Sequence, residues 1–335
     1  MTDNNQHQST IGILYPGEMG SCFGKLLCEA GFGVITTVEH RSPRTRLLCR
    51  DAGLTVVDRL NEVLERSDVV ISLVSPGAAL SVARDVAAHL EGSSRSLLYV
   101  DANSISPMTV AQISDVLGHV SVDFVDASIF GLASQLHQRG ALYLSGSRAS
   151  ELSTQFEPIM RVKVVGDIPG QASALKMIVS SMTKGLSAMF IETMLFAQNM
   201  HLLSEAIEAC DEIYPSIMEV VRRMLPTYPQ HAARRCEELN EVEETMLVSG
   251  VTPRIVHAVR EVTSTVAGFV WPDHASHKWT VDEVIGRIPR EGSLLPLESQ
   301  FPKKCGPNGL ASDEQQITSG DLSNHEKRFL DCDPR

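Results

Sequence analysis

The sequence predicts an α/β domain built on a mostly parallel sheet, followed by an all-α domain. Three observations carry that expectation. Short apolar runs alternate with helix-length segments over the first half of the chain. Several of those runs are apolar at nearly every position, as burial on both faces of a sheet requires. From Gly170 onward strand signals stop and long helical periods take over. A chain of 335 residues also exceeds one ordinary domain, so two are expected.

In chain order, IGILY (11–15) reads as the first strand and 20–29 as a helix closed by Gly31. VITTV (34–38) is the second strand; it ends at Glu39-His40-Arg41-Ser42-Pro43, and a charged helix covers 43–52. A helix over 61–66 leads to the strand DVVISLV (68–74), which Ser75-Pro76-Gly77 stops. Next come a helix over 78–90, the strand LLYVDA (97–102), and a helix that Ser106-Pro107 opens and that runs to 117. VDFVDA (122–127) and ALYLSG (141–146) complete the strands. Beyond a boundary near 165–170, helices are predicted over 172–199, 201–214, 216–224, 231–249 and 252–265. The expected domains are 1–168 and 169–285. From 286 to 335 Pro, Gly, Ser and charge interrupt every apolar cluster, which predicts a flexible tail.

Composition narrows the function. A formal net charge of −12 opposes a nucleic-acid partner, because phosphate backbones need a basic surface. Seven cysteines are scattered with no C-x-x-C pair and no zinc-type spacing with histidine, which fits reduced thiols in a cytoplasmic protein and no metal. MTDNNQHQST is too polar for a signal peptide. The most apolar later stretch, 185–203, follows Lys184 and carries Glu192 and His201, so it reads as a buried helix and no membrane partner is expected.

Residues 11–32, IGILYPGEMGSCFGKLLCEAGF, run from a strand through Gly17-Glu18-Met19-Gly20 into a helix. That is the order of a Rossmann turn, which delivers a pyrophosphate to a helix N-terminus. In G-x-G-x-x-G register Gly17 and Gly20 are the second and third glycines, and the first position falls on Tyr15. Gly17 lets the backbone approach a pyrophosphate, and Gly20 lets the helix pack on the sheet. The expected cofactor contacts are Pro16, Gly17, Glu18 and Met19 in this turn, Arg41 after the second strand, and Val74, Ser75 and Pro76 after the strand 68–74. An acidic residue at the second strand's end favours NAD, whereas an arginine accommodates the 2′-phosphate of NADP. Arg41 as a plain surface charge is the alternative.

Four segments in order, LYPGEMGS (14–21), DANSISP (101–107), VDASIFG (125–131) and GQASALKMIVSSMTKG (170–185), with ELNEVEETMLVSGV (238–251) behind them, resemble the β-hydroxyacid dehydrogenase and 6-phosphogluconate dehydrogenase superfamily. The likeness is strongest to its branch with a distinct helical C-terminal domain and spans 11–269. The resemblance makes Tyr15-Pro16 a tolerated variant of the dinucleotide turn. It sets Arg41-Ser42 on the phosphate-reading positions of an Asn-Arg-Thr motif and so favours NADP, with NAD possible. It gives Asn103 and Ser104 hydrogen bonds to the carboxamide or the substrate, although an Asx-turn or N-cap would also use these residue types. It makes 126–131 a substrate loop, in which Phe130 and Leu132 replace a small donor residue and a glycine around Gly131.

Lys176 is the residue expected to carry the chemistry. Hydride transfer at a carbinol carbon needs a group that moves a proton on and off the oxygen, and a desolvated lysine can do so. Lys176 sits in an apolar, small-residue helix at the domain junction, where a snorkelling side chain is the bland reading. In the family an asparagine that shares the substrate follows the lysine by one turn; here Ser180 stands there, expected to donate a hydrogen bond to the substrate with a shorter reach. Lys184 reads as structural, and Arg234, Arg235, Glu238, Glu241, Glu243 and Glu244 could supply substrate contacts but by default read as solvated helix charges. The resemblance implies an NADP-dependent oxidoreductase acting on a β-hydroxy acid, β-hydroxy amino acid or related carbonyl compound, and a homodimer. An imine or enamine reductase and a non-catalytic NADP-binding sensor or scaffold are the alternatives.

Overall fold

The computed structural model describes residues 9–120, 122–271 and 279–288. The chain opens with β1 (Thr10–Leu14), α1 (Glu18–Glu29), β2 (Gly33–Thr37), α2 (Pro43–Asp51) and β3 (Thr55–Val57). It continues through α3 (Leu60–Arg66), β4 (Val69–Ser72), α4 (Pro76–Leu90), β5 (Leu97–Asp101) and α5 (Pro107–Leu117). β6 (Val122–Phe130), α6 (Leu136–Arg139), β7 (Ala141–Ser145), α7 (Ala149–Phe156) and β8 (Arg161–Gly166) complete an eight-stranded sheet of order β3-β2-β1-β4-β5-β6-β7-β8. Every neighbouring pair is parallel except β6 with β7. The mostly parallel sheet expected from the apolar runs is present.

Burial on both faces explains those runs. Ile11, Ile13, Phe23 and Phe156 belong to one core cluster, and Leu14, Leu64, Leu97 and Tyr99 to a second. Strand order reverses direction between β1 and β4, where chain progress towards β3 gives way to progress towards β8. Open α/β sheets bind ligands in the crevice beyond the strand ends at such a point.

The helical part consists of α8 (Gln171–Asn199), α9 (Leu203–Ile213), α10 (Pro215–Met224), α11 (Tyr228–Val248), α12 (Arg254–Ala267) and α13 (Val281–Arg287). Its core gathers Ile191, Met194, Val221, Tyr228, Leu239, Val266 and Ile285. By length and composition α8 could cross a membrane, and only 33% of its most apolar stretch is buried. It packs against β6, β7 and β8 on one side and against helices α9 to α13 on others, which is the behaviour of a spine.

Five helices and strands depart from the sequence reading. It does not contain β3, α6, α7, β8 or α13, although α13 carries a full capping box between Thr280 and Glu283. Val281, Val284 and Ile285 bury one face of α13, and Ile288 is 1% exposed in the same core. The helix therefore runs on to Arg287, and Ile288 beyond it lies in the helical core, which moves the start of the expected tail past 288. The rest of the expected tail, 289–335, lies outside the described residues.

Candidate active site

The dinucleotide turn keeps its shape without its first glycine. Tyr15 takes φ +46°, the left-handed region that ordinarily favours glycine, so the backbone path is retained at the cost of strain. Its half-buried side chain packs, as do Val74 and Leu80, against the core cluster of Leu14, Leu64 and Tyr99. Burial and then the carboxylates of Glu39 and Asp85 push its phenol upward, with Arg41 opposing. A Cβ built on Gly17 would meet no protein atom within 4 Å, which leaves open space where the chain must come close to a ligand. At Gly20 a Cβ would stand 2.8 Å from the Pro16 side chain, so Gly20 serves helix packing and buried Pro16 fills the space beside it.

No side chain caps α1 at Gly17 or α4 at Ser75, so the first-turn amides of both helices stay available to an anion. These two N-termini follow β1 and β4, the neighbouring strands at the switch point. Glu18 and Ser75 are exposed, and Met19, Val74 and Pro76 are half-buried. Arg41 and Ser42 are exposed beyond β2, where Ser42 accepts the Thr45 amide at 3.3 Å and caps α2. These residues fit a dinucleotide: open space at Gly17, free helix ends and an unshielded arginine.

Asn103 does not have the free side chain that substrate contact requires. It is 1% exposed, its Nδ2 donates to Ser72 Oγ at 3.0 Å and Asp101 Oδ2 at 2.8 Å, and its Oδ1 accepts the Val74 amide at 2.6 Å. Asn103 is a clamp that joins the ends of β4 and β5 and fixes the Val74 turn. The N-cap of α5 is Ser106, and Ser104 is half-buried beside the clamp. Burial raises Asp101 to about 7, with the hydrogen bonds from Asn103 working in the opposite direction.

Asp126, at the register position opposite Asp101, ties α8 to the sheet. Its carboxylate accepts the amides of Gly170 (2.9 Å) and Ser173 (3.0 Å) and the hydroxyls of Ser145 (2.9 Å) and Ser173 (2.6 Å). One turn beyond Ser173, half-buried Lys176 donates to the Ile129 carbonyl at 3.0 Å. Desolvation pulls its amine down to about 8; Glu238 counters this, while Lys184 and Arg234 add to it. Lys176 thus sits beside the predicted substrate loop. In that loop Gly131 takes φ +124°, and the half-buried Phe130 ring lies 4.6 Å from Tyr143.

Ser180 is engaged within α8, donating to the Met177 carbonyl at 3.2 Å and accepting from Lys184 Nζ at 3.2 Å. It is not the free donor expected there. Lys184 is 5% exposed and pairs with Glu238 of α11 at 3.0 Å; Arg234 reaches the same carboxylate at 3.4 Å. Arg235 is buried against the Tyr228 ring, and Glu241 accepts the Ser106 amide at 3.0 Å. The expectation of solvated helix charges fails at Arg235, Glu238 and Glu243, because α11 packs against both α8 and α12, where Glu243 pairs with Arg260 at 2.8 Å. The i, i+4 spacing of Arg234 and Glu238 and the lone Lys184 in an apolar helix were the available signals. A shallow cavity lined by Ser9, Asp68, Arg148 and Glu151 lies at the other edge of the sheet, where β1 and β4 begin.

Comparison with known proteins agrees with this fold. Residues 10–163 match the family model for the NAD binding domain of 6-phosphogluconate dehydrogenase, and residues 197–266 match a domain of unknown function. An uncharacterized 28.5 kDa protein from Methanothermus fervidus is 27% identical over 75% of this chain and 96% of its own length. A solved conserved protein of unknown function, described as structurally similar to 3-hydroxyacid dehydrogenases, is 31% identical over 77% of this chain and 96% of its own, with a TM-score of 0.60. At the level of fold alone, the 3-hydroxyisobutyrate dehydrogenase of Mycobacterium tuberculosis, solved with L-serine, covers 83% of this chain and 98% of its own at 18% identity and a TM-score of 0.65. The same fold-level likeness extends to imine reductases.

Proposed function

Because this chain belongs to the β-hydroxyacid dehydrogenase and 6-phosphogluconate dehydrogenase-like superfamily, we propose that it is an NADP-dependent oxidoreductase of a β-hydroxy acid, a β-hydroxy amino acid or a related carbonyl compound. The observation that carries this reading is Lys176. Its amine is half-buried beside the Ile129–Gly131 loop, and it is shifted into the range where it can both give and take a proton near neutral pH. The bound dinucleotide supplies the carbon that gives or takes the hydride.

Each residue's part follows from its position. The open space at Gly17 and the uncapped starts of α1 and α4 receive the pyrophosphate, and Arg41 takes the 2′-phosphate. Asn103 holds the Val74 turn in place through its clamp. The Ile129 carbonyl takes one of the three ammonium hydrogens of Lys176 and aims the remainder. In carbonyl reduction the ammonium donates to the substrate oxygen; in alcohol oxidation the neutral amine accepts that proton. Phe130 makes the wall beside the amine more apolar than a small donor residue would, which favours a substrate with a branched or aromatic substituent.

We place the working form as a cytoplasmic homodimer. The test is a screen of hydroxy acids and β-hydroxy amino acids with NADP and with NAD, read by absorbance of the reduced nicotinamide. Turnover with NADP supports the proposal. Tight NADP binding without turnover of any of these substrates would leave the sensor or scaffold reading in its place.

A further inference from the structure

The ion pair between Lys184 and Glu238 is an unusual use of buried charge. Isolated buried pairs are weak stabilisers, since desolvation cancels much of their attraction. This pair joins α8 to α11, and its ammonium is bonded to Ser180, one turn along α8 from the group proposed to move the proton. Lys176 and Lys184 are eight residues apart on one helix, a rise of about 12 Å. Helical side chains lean towards the N-terminus. Lys184 does so, since its Nζ lies 3.2 Å from Ser180 Oγ, one turn back towards Lys176. The Glu238 carboxylate, 3.0 Å from that Nζ, is thereby brought over the same turn, and Arg234 holds its other oxygen at 3.4 Å.

We propose that Glu238 and Lys184 are opposed positioning residues through which helix α11 controls the charge carried by Lys176. The carboxylate favours the ammonium form and the neighbouring ammonium disfavours it. Resting on the reading of Lys176 as the proton-transfer group, this assigns to α11 a part in catalysis that touches neither substrate nor cofactor. Lys176 Nζ touches the Ile129 carbonyl of β6, and the charges that act on it are Lys184 from its own helix and Glu238 and Arg234 from α11. Glu238 is the largest of the charge influences on Lys176, and Lys184 follows with the opposite sign. Glu238 is itself held ionised by Lys184 and Arg234 in spite of burial.

A structural pair and a controlling pair differ in one observable. If the pair only holds two helices together, removing either member loosens the same seam. If it controls Lys176, the two removals act on that amine in opposite directions. The experiment is competitive acetylation of the full chain with acetic anhydride at a series of pH values, with modification of Lys176 read by mass spectrometry. It requires no substrate. Glu238→Gln should lower the labelling midpoint of Lys176 by roughly one pH unit, and Lys184→Met should raise it by a smaller amount. The double variant, which leaves neither partner as an orphan buried charge, should still lie below wild type because the larger influence is gone. It decides the matter if Glu238→Gln alone fails to fold. An unmoved midpoint, or movement of both single variants in one direction, overturns the proposal. Opposed shifts in a chain that turns over no hydroxy acid would keep this control and reject the enzymatic reading instead.

Discussion

At Lys176 the physical argument reduces to one amine and its surroundings. Burial lowers the amine to about 8, so its charge changes within the range where activity can be measured. The sign depends on the direction of the reaction. Carbonyl reduction needs the ammonium, so its rate should hold below about pH 8 and fall above it; alcohol oxidation needs the neutral amine, so its rate should rise to about pH 8 and then level. Lys176→Ala should keep NADP affinity and lower turnover by about two to four powers of ten, the usual worth of a positioned acid/base group. Full activity in that variant would remove Lys176 from the mechanism. Arg41 offers a second test at this scale, since it is exposed and carries no ion pair among the described contacts. Arg41→Ala should weaken NADP roughly 10- to 100-fold in a fluorescence titration and leave NAD nearly unchanged, because only the 2′-phosphate loses a charge-assisted contact. Equal weakening of both cofactors would show that Arg41 does not read the 2′-phosphate.

Between elements, one carboxylate joins the sheet to the long helix. Asp126 accepts four hydrogen bonds, two of them from amides at the start of α8, and it fixes the turn on which Lys176 stands. Asp126→Ala should lower stability in urea unfolding by about 3–5 kcal/mol, since it orphans several buried donors at once. It should also reduce turnover more than cofactor affinity. A loss under about 1 kcal/mol would mean that α8 is held by apolar packing alone. Much of this architecture was legible from residues. Strands apolar on both faces and helices of ten or more residues announce themselves, because their periods are long enough to count. β3 and β8 were not legible, and they are the two edges of the sheet, where exposure removes the apolar run. α7 hid behind its Ser and Thr content, although Ala149, Leu152, Ser153 and Phe156 bury one helical face. Among the candidate site residues, the turn at Gly17 and the solitary Lys176 stand out in the sequence. The spent side chains of Asn103 and Ser180 could not, since their partners come from Ser72, Val74 and a lysine folded back along its own helix. Glu238 was missed for a related reason: its burial depends on how two helices meet.

For the whole molecule, the open question posed by the surface is what covers α8. Ile178, Met182, Met189, Phe196 and Met200 are all more than half exposed, and Met182, Met189 and Phe196 recur every seven residues. Seven-residue spacing keeps side chains on one face of a helix, so this is a stripe and not scattered exposure. Its length is about 33 Å, and at about 10 Å in width it offers less than the roughly 800 Å² per partner of a stable interface. A lasting interface must therefore extend over further apolar surface, and Leu247, Val248 and Ile255, around the α11–α12 connection, are also largely exposed. Apolar patches of a few hundred Å², the size of this stripe, are often interaction sites. The alternative use of such a helix, insertion in a membrane, conflicts with Lys176 and Lys184 on the same helix and with its packing on the sheet. The expected partner is a second copy, with the α8 stripes facing each other. Light scattering behind size exclusion should give twice the chain mass at micromolar concentration. The Met189→Glu, Phe196→Glu double variant should give a single chain mass with its helical circular dichroism retained, because both positions face outward and charge there costs only the interface. A wild-type monomer, or a dimer indifferent to both charges, would place the α8 stripe outside the assembly.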